Sequence, residues 1–342
     1  MVIGIIGAGL SGLTAGRILA RAGHEVTVFE KSRGYGGRMA TRYAGKENSS
    51  KMDHGLSYFG VKSNEFREFT AELLDQGLIQ TWGDNFAAYD GEKFLESAPN
   101  QSSEALYTST GGMNKIGKYL ARWVDIRTET KVGGLTYFGT NRSKKRSWMM
   151  NLTSSNTFEA DAVIIALPAP QAYGIISSTI DETNTLKIVR QIDEVSYQPA
   201  FSLMAGYGSE EAPDWEGVIC RNSPLEFISN ESLKRDTQET SFVLQTSGGF
   251  TKEYRDSDED TISKKMLGEF AEIAGGWAAS PEWQQLHFWR YSRAQKVINS
   301  PYLELEDEDA PLALTGDYLN GNTVDDSYRS GYMLANDWVK KF

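Results

Sequence analysis

Residues 2–42 read VIGIIGAGLSGLTAGRILARAGHEVTVFEKSRGYGGRMATR, and this stretch decides the fold of the chain. Its first five residues are an apolar run, which is typical of a strand buried on both faces of a parallel sheet. Gly7, Gly9 and Gly12 follow with the GxGxxG spacing. The first glycine permits a tight turn, the second lets backbone approach a pyrophosphate, and the third lets a helix pack on the strand. The stretch therefore predicts a dinucleotide-binding unit.

The predicted helix begins near Leu10 and Ser11. Unpaired N–H groups and the positive end of the helix dipole stabilise a phosphate at its first turn, so no cationic side chain is needed there. A second strand leads into Glu30 and Lys31, which are expected to contact the adenosine. A carboxylate at this position accepts hydrogen bonds from a ribose and repels a 2′-phosphate. Only the nearby Arg33 favours a 2′-phosphate.

A second glycine cluster, with Gly36, Gly37 and Arg38, comes directly after the acidic strand end. An NAD fold has no need of a second flexible, cationic loop at this point, whereas FAD has a long ribityl and pyrophosphate arm that must pass it. The order of the two clusters resembles the FAD-binding amine-oxidase superfamily. The resemblance implies that these three residues contact FAD. A glycine-rich surface loop is the alternative interpretation.

The composition limits the partners of the chain. Its 342 residues suffice for two domains that share a crevice, and its net charge of −11 argues against nucleic acid or an anionic membrane as a partner. We expect no transmembrane span, and no signal peptide because the N-terminal apolar run lacks positive residues. The single cysteine, Cys220, excludes an intramolecular disulfide and fits a cytoplasmic location. The histidines are scattered through the sequence, so we expect no metal site.

Residues 52–61, MDHGLSYFGV, carry a second resemblance. Asp53, Gly55, Tyr58 and Phe59 resemble the D-x-G-x-x-Y-F element that renalases and related flavin enzymes place beside the isoalloxazine ring. A glycine permits close approach to the flat ring, and aromatic side chains give the ring an apolar wall. Tyr58 and Phe59 are therefore expected to contact the substrate pocket. An ordinary buried strand is the alternative.

Later segments resemble motifs of the same family, and they occur in the same order. Trp289 begins a W-R-Y-x-R sequence, in which renalases place the tryptophan near the flavin; a structural Trp–Arg stack is the alternative. The resemblance places Asp317, after Gly316, on the ribityl chain and the backbone of Val132 near the adenine. It also implies a helix whose first N–H groups, around Val324, face the flavin pyrimidine.

One position departs from the family. In residues 241–250, SFVLQTSGGF, renalases usually carry a histidine where this chain has Gln245. Glutamine can hydrogen-bond a substrate amide but cannot titrate near neutral pH. A proton transfer that depends on that histidine is therefore not expected, and Gln245 joins Tyr58, Phe59 and Trp289 as a predicted pocket contact.

The predicted fold class is α/β. A Rossmann-type FAD-binding domain, similar to glutathione reductase and p-hydroxybenzoate hydroxylase, is interleaved with an α+β substrate domain that contains a mixed or antiparallel sheet. Residues 1–60, 104–170 and 286–342 are assigned to the FAD-binding domain. Residues 61–103 and 171–285 are assigned to the substrate domain.

The resemblance implies an FAD-dependent oxidase of a small molecule. Its expected substrates are dihydronicotinamide dinucleotides, the isomeric forms of NAD(P)H, which would pass a hydride to flavin N5 while O₂ takes up the electrons to give H₂O₂. The flavin is expected to be non-covalent, because Cys220 lies outside any recognised flavin-linking motif. An amine oxidase, a desaturase and a non-catalytic FAD-binding sensor remain as alternatives.

Overall fold

Strands and helices alternate through the part of the chain that a computed structural model describes, residues 1–95, 105–138, 145–177, 182–235, 237–305 and 310–342. Its strands are β1 (Val2–Ile6), β2 (Glu25–Phe29), β3 (Arg42–Ala44), β4 (Ser50–Met52), β5 (Gln80–Trp82), β6 (Phe86–Tyr89), β7 (Leu106–Thr108), β8 (Asp125–Arg127), β9 (Val132–Tyr137), β10 (Trp148–Leu152), β11 (Thr157–Ala160), β12 (Ala162–Ile165), β13 (Tyr197–Gly206), β14 (Gly217–Cys220), β15 (Leu225–Asn230), β16 (Ser241–Thr246), β17 (Trp283–Ala294), β18 (Leu303–Glu304) and β19 (Leu312–Leu314). Its α-helices are α1 (Leu10–Arg21), α2 (Asn64–Asp75), α3 (Asn114–Leu120), α4 (Ala169–Ile176), α5 (Glu182–Ile192), α6 (Glu231–Arg235), α7 (Gly248–Tyr254), α8 (Glu259–Ala274) and α9 (Val324–Lys341).

The first sheet has the strand order β18-β19-β12-β1-β2-β8, and only the edge strand β18 is antiparallel. All five residues of β1 are buried, as the apolar run predicts. β1 has β2 on one side and β12 on the other. The strand order therefore reverses next to β1, and the carboxyl ends of the strands form the crevice in which open parallel sheets bind ligands.

The C-terminal helix α9 crosses α1 at a glycine. A Cβ added at Gly331 would lie 2.2 Å from the carbonyl oxygen of Ser11. Leu13 and Leu19 of α1 share a core with Leu334 and Trp338 of α9, and all four side chains are fully buried. Gly331 thus lets the two backbones approach closely, directly beside the glycine-rich turn.

The second sheet has the order β17-β13-β16-β15-β14-β6. Its neighbouring strands are antiparallel except for β14 and β6, which are parallel. Apolar residues of α8, among them Ile262, Met266 and Phe270, pack against one face of this sheet. The two sheets confirm the predicted α/β class, with a Rossmann-type domain and a mixed sheet in the substrate domain.

The packing moves the predicted domain boundaries. Helix α2 was assigned to the substrate domain, but Phe66, Phe69 and Leu73 lie in the core of the first sheet because they form its apolar face. Residue 286 was predicted as the return to the FAD-binding domain, yet it lies inside β17, a strand of the second sheet. The chain next joins the first sheet at β18. The boundary at 103/104 lies outside the described residues.

We predict that Gly331→Ala destabilises the protein although alanine is the better helix former. The added methyl group meets backbone rather than a movable side chain, and such overpacking costs about 1–3 kcal/mol of unfolding free energy. Gly268→Ala in α8 is the matched control, because no atom lies within 4 Å of its added Cβ. That control is expected to gain about 0.5–1 kcal/mol. Denaturant unfolding measures both, and equal effects would contradict the close crossing.

Candidate functional site

One large cleft lies between the carboxyl ends of the first sheet and the open face of the second, with a volume of about 2100 Å³. Pockets for a single drug-sized ligand are about 300–1,000 Å³, so the cleft can hold a dinucleotide together with a substrate. It is lined by most of the residues that the sequence singled out. These are Gly7, Gly9, Leu10, Ser11, Glu30, Lys31, Gly36, Gly37, Arg38, Tyr58, Phe59, Val132, Gln245, Trp289, Gly316, Asp317 and Val324.

The glycine-rich turn leaves open space for a phosphate. Gly7 has φ +102°, in the region that favours glycine, and no protein atom lies within 4 Å of a Cβ added at Gly9. No side chain caps the start of α1, and its first turn has no acidic residue. Gly12 does not line the cleft: its added Cβ would lie 2.4 Å from the Gly7 carbonyl oxygen. Gly12 therefore packs α1 closely against β1, as its place in the GxGxxG spacing predicts, and its role as a cofactor contact stays a prediction.

Glu30 lies at the end of β2, against the same turn. Its carboxylate accepts hydrogen bonds from the backbone N–H groups of Ala8 (3.1 Å) and Ser32 (2.9 Å). Each carboxylate oxygen has a further lone pair for a ligand hydroxyl group. Val132, the first residue of β9, lines the same end of the cleft. The turn, the carboxylate and the strand start fit the phosphate and adenosine of a dinucleotide.

Arg38 and Asp317, which we predicted as separate cofactor contacts, bind each other. The guanidinium donates to both carboxylate oxygens at 2.7 and 2.8 Å, and it also donates to the Ser292 carbonyl at 3.0 Å. Bidentate pairs of this kind are among the stronger hydrogen bonds of proteins. The pair connects the second glycine cluster to Gly316 and to β17, so it fixes three separate segments around the middle of the cleft.

One row of cross-strand neighbours spans the second sheet at the cleft. His287 of β17 is paired with Ser202 of β13, Ser202 with Gln245 of β16, and Gln245 with Phe227 of β15. All four line the cleft, as the shared face of paired residues requires. The Gln245 amide nitrogen donates to the Gly55 carbonyl at 2.5 Å, which leaves its amide oxygen directed at no described residue. A ligand amide group could donate to that oxygen.

The two predicted aromatic contacts differ in their surroundings. The ring of Tyr58 lies 5.1–5.9 Å from those of Trp82, Phe86 and Phe227, which makes an aromatic wall on the substrate side. Phe59 is only 3% exposed, and its ring packs against Phe66 and Tyr107 in the first core. Phe59 also lines the cleft, but most of its ring is covered by the first core, so its contact with a substrate stays a prediction.

Two histidines that are far apart in sequence meet beside Trp289. The ring of His54 lies 4.9 Å from that of His287 and is stacked on Trp289 at 5.2 Å, and the Trp289 indole N–H donates to the His54 carbonyl at 2.8 Å. Burial, His287 and Arg42 together lower the pKa of His54 from 6.5 to about 3. Burial and Arg42 lower that of His287 to about 4. Both imidazoles are therefore neutral at physiological pH.

The sequence did not reveal this pair, because the two histidines are far apart along the chain. Strand alternation does predict one of its contacts: His287 and Trp289 are two residues apart in β17 and therefore share a face. Within the described residues, no group of three or more potential metal ligands occurs. The pair belongs to the substrate side of the cleft, next to Gln245 and Ser202.

A buried cluster of four charges holds the His54 segment in place. Asp53 binds Lys234 at 2.9 Å and Arg235 at 2.6 Å, and Glu231 binds the same two cations at 3.3 and 2.5 Å. The side chains are 0–4% exposed. Burial alone would raise the pKa of Glu231, but Arg235 and Lys234 lower it to about 2. The cluster joins the loop of Asp53 to α6, and so connects the two sheets.

The fold and the site define a flavin-dependent oxidoreductase whose cleft lies between two sheets. Residues 81–337 match the family described as flavin containing amine oxidoreductase, and residues 5–74 match an NAD(P)-binding Rossmann-like domain. The match to the flavin containing amine oxidoreductase family covers more than half of the chain. The chain therefore belongs to the flavin containing amine oxidoreductase family, and FAD is its cofactor.

Curated relatives match shorter segments. Polyamine oxidase 5 of Oryza sativa subsp. japonica is 32% identical over 130 residues, which are 36% of this chain and 25% of the relative. L-amino acid oxidase Lm29 of Lachesis muta is 56% identical over 77 residues, 19% of this chain and 15% of the relative. The matched segments thus span a quarter or less of these relatives.

Solved structures match the whole fold. A variant of putrescine oxidase has a TM-score of 0.75 with 13% identity, and the superposition covers 99% of both chains. Cyclohexylamine oxidase from Brevibacterium oxydans IH-35A has a TM-score of 0.73 with 12% identity, covering 99% of this chain and 98% of the other. At these identities the likeness shows a common fold.

Two further observations concern the cofactor and the surroundings of the chain. Cys220 lies in β14, where its Sγ donates weakly to the Val218 carbonyl, and it does not line the cleft. The cysteine is therefore not placed to link FAD covalently.

None of the helices in the described ranges combines the length and the apolar character that crossing a bilayer requires.

We predict that Asp53→Asn strongly destabilises the protein. The substitution leaves Lys234 and Arg235 with one carboxylate in a site closed to water, and breaking a buried ion pair typically costs about 3–5 kcal/mol. Glu194→Gln is the control, because its pair with Lys296 is exposed to water and contributes little to stability. Denaturant unfolding measures both variants, and similar losses would contradict the role of the cluster.

The histidine pair should make stability fall as the pH falls from 6.5 to 5. Because the folded pKa values lie below 6.5, the unfolded chain binds protons in this range while the folded protein does not. Each such histidine contributes a slope of up to about 1.4 kcal/mol per pH unit. We expect His54→Gln to reduce the measured slope and the half-exposed His24→Gln to change it less. An unchanged slope in His54→Gln would mean that this imidazole titrates normally.

Proposed function

We propose that this chain is a renalase-like, FAD-dependent oxidase of dihydronicotinamide dinucleotides, with O₂ as the electron acceptor. The observation that carries the proposal is the charge of the cleft. The whole chain has a net charge of −11, yet cations outnumber carboxylates along the cleft. The cationic side chains that line it are Lys31, Arg33, Arg38, Arg42, Lys62, Lys118, Lys131, Arg290 and Arg293.

Each of the four carboxylates along the described cleft already has a protein partner. Glu30 accepts from two backbone amides, and Asp317 is paired with Arg38. Asp325 accepts from the backbone of residues 62 and 63, and Glu226 is paired with Arg293 at 2.7 Å. A cationic diamine would have to compete for these carboxylates, whereas an anionic dinucleotide meets cations such as Lys31 and Arg42, which have no carboxylate partner among the described residues. The charge pattern therefore favours the dinucleotide.

The row of cross-strand neighbours from His287 to Phe227, called the polar row below, could bind a nicotinamide ring. The Gln245 amide oxygen can accept from the carboxamide N–H₂ group of the substrate, and the buried hydroxyl of Ser202 has no hydrogen-bond partner among the described residues. Tyr58 and Phe227 give the ring an apolar wall. These side chains would orient the substrate and exclude water, which is the contribution that a hydride transfer needs from the protein.

FAD, when bound, accepts a hydride and returns the electrons to O₂. Residues of the two glycine clusters, with Glu30, Val132 and Asp317, would hold it. A hydride transfer leaves no proton for the protein to remove, which agrees with Gln245 in place of the histidine of renalases. We also propose a cytoplasmic location and non-covalent FAD, because Cys220 is the single cysteine and lies away from the cleft.

Amine oxidation is the second candidate. Its support is the family, whose relatives include polyamine and putrescine oxidases, and the neutral imidazole of His287, which could accept a hydrogen bond from an amine substrate. In that case a cationic substrate would have to bind among the unpaired cations of the cleft.

Anaerobic mixing of the yellow protein with a set of donors tests the proposal. We expect the isomers of NADH reduced at ring position 2 or 6 to bleach the flavin absorbance rapidly, with one H₂O₂ formed per donor once air is admitted. Ordinary NADH, putrescine, cyclohexylamine and L-amino acids should act far more slowly. Bleaching by amines alone would establish the second candidate, and bleaching by none of these donors would contradict both.

A further inference from the structure

Arg42 stands out among the arginines of the cleft. Arg38 and Arg293 are paired with carboxylates, whereas the guanidinium of Arg42 has no ion pair and no hydrogen bond with any residue in the described part of the chain. It lies in β3, the first strand of a short hairpin with β4, and is half-buried at the cleft. A partly buried cation without a counter-ion indicates a place for an anion.

The histidine pair lies beside this guanidinium. The charge of Arg42 acts on both imidazoles, and both rings line the cleft. His54 is 4% exposed, and its Nδ1 has no hydrogen-bond partner of normal geometry, although the Met52 carbonyl lies close by. A neutral imidazole can donate one N–H, and a guanidinium offers a planar fork that matches phosphate. Arg42 is the cross-strand neighbour of Met52, two residues before His54, and the His54 ring lies 4.9 Å from the His287 ring. The donors of all three residues therefore lie in one part of the cleft.

The other charged residues near the histidine pair leave room for an anion beside Arg42. Glu231 is the carboxylate that acts on His54, and it is engaged with Lys234 and Arg235 inside the buried cluster. Trp289 stacks on the His54 ring and covers one of its faces. The place adjoins the row of Ser202 and Gln245, because His287 is the neighbour of Ser202 in that row.

We propose that Arg42, His54 and His287 form a subsite for a phosphate group of the substrate, next to the polar row that would hold the nicotinamide. This inference rests on the proposed function, since it assigns the phosphate to a dihydronicotinamide nucleotide. The subsite distinguishes nucleotides from the nucleoside that lacks phosphate. Arg42 binds the phosphate in a bidentate manner, and the two neutral imidazoles donate one hydrogen bond each.

Arg42→Gln tests the subsite with three donors of the same isomeric ring, the dihydronicotinamide riboside, mononucleotide and dinucleotide. Losing a hydrogen bond to a charged group corresponds to an increase in KM of about 10- to 100-fold. We expect this increase for the two nucleotides and an unchanged KM for the riboside, with kcat changed little. Lys46→Gln is the control, because it removes the same charge from the same hairpin outside the cleft. His287→Asn should give a smaller increase of the same selectivity.

The controls separate the possible failures. Binding of oxidised NAD, measured by calorimetry on the FAD-loaded protein, should weaken in Arg42→Gln and not in Lys46→Gln, even if turnover is slow. Equal effects on riboside and nucleotides, or none, would overturn the subsite while the proposed function stands. A wild-type protein that oxidises none of the three donors and does not bind NAD would overturn both. Loss of FAD from Arg42→Gln would assign the guanidinium to the cofactor and overturn the proposal.

Discussion

The buried ion cluster around Asp53 is the interaction on which the geometry of the cleft depends. Besides Lys234 and Arg235, the Asp53 carboxylate accepts hydrogen bonds from the Thr41 hydroxyl at 2.6 Å and the Met113 N–H at 3.0 Å. One carboxylate therefore connects three segments of the first domain to helix α6. Placing four charges away from water is costly, and it is tolerated because each charge has good partners. The neighbouring residues His54 and Gly55 are held in position as a result.

The cleft combines two kinds of rigid surface. The first sheet supplies strand ends and a helix start, which provide backbone N–H groups and glycines for phosphates. The second sheet supplies one row of side chains at fixed cross-strand spacing, from His287 to Phe227. The Gln245 side chain connects them directly, because its amide donates to the Gly55 carbonyl.

Local sequence was sufficient for the first unit of the fold. The strand, turn, helix and acidic residue between Val2 and Glu30 are consecutive in sequence, and β1 pairs with β2 while Glu30 accepts from Ala8, so the pattern of this stretch alone predicted its structure. The glycines at 36, 37 and 316 line the cleft, and their contact with FAD stays a prediction. The pairing of Arg38 with Asp317 was not predictable, because it joins residues that are far apart in sequence and depends on how the C-terminal segment packs. The contact between His54 and His287 was not predictable for the same reason.

The errors in the domain limits have a packing cause. The pattern of α2 revealed an apolar face but not which core would receive it. Phe59 and Tyr58 show the same limit at the level of single residues. Both are aromatic and adjacent, yet the Phe59 ring packs into the first core while the Tyr58 ring packs against Phe86 and Phe227. Sequence reveals that a residue will be buried, and tertiary contacts decide where.

The order of strands along the chain also determines when the cleft can form. β1 is the first strand of the described chain, yet its sheet needs β19, and the second sheet pairs β6 with β14 and ends in β17. Such distant pairings lose loop-closure entropy before they gain contacts, which slows folding. The glycine-rich turn therefore gains its partner surfaces only when strands from distant parts of the chain have paired. A ligand that contacts both sheets binds the folded protein in preference to the unfolded chain, and so stabilises the fold by mass action.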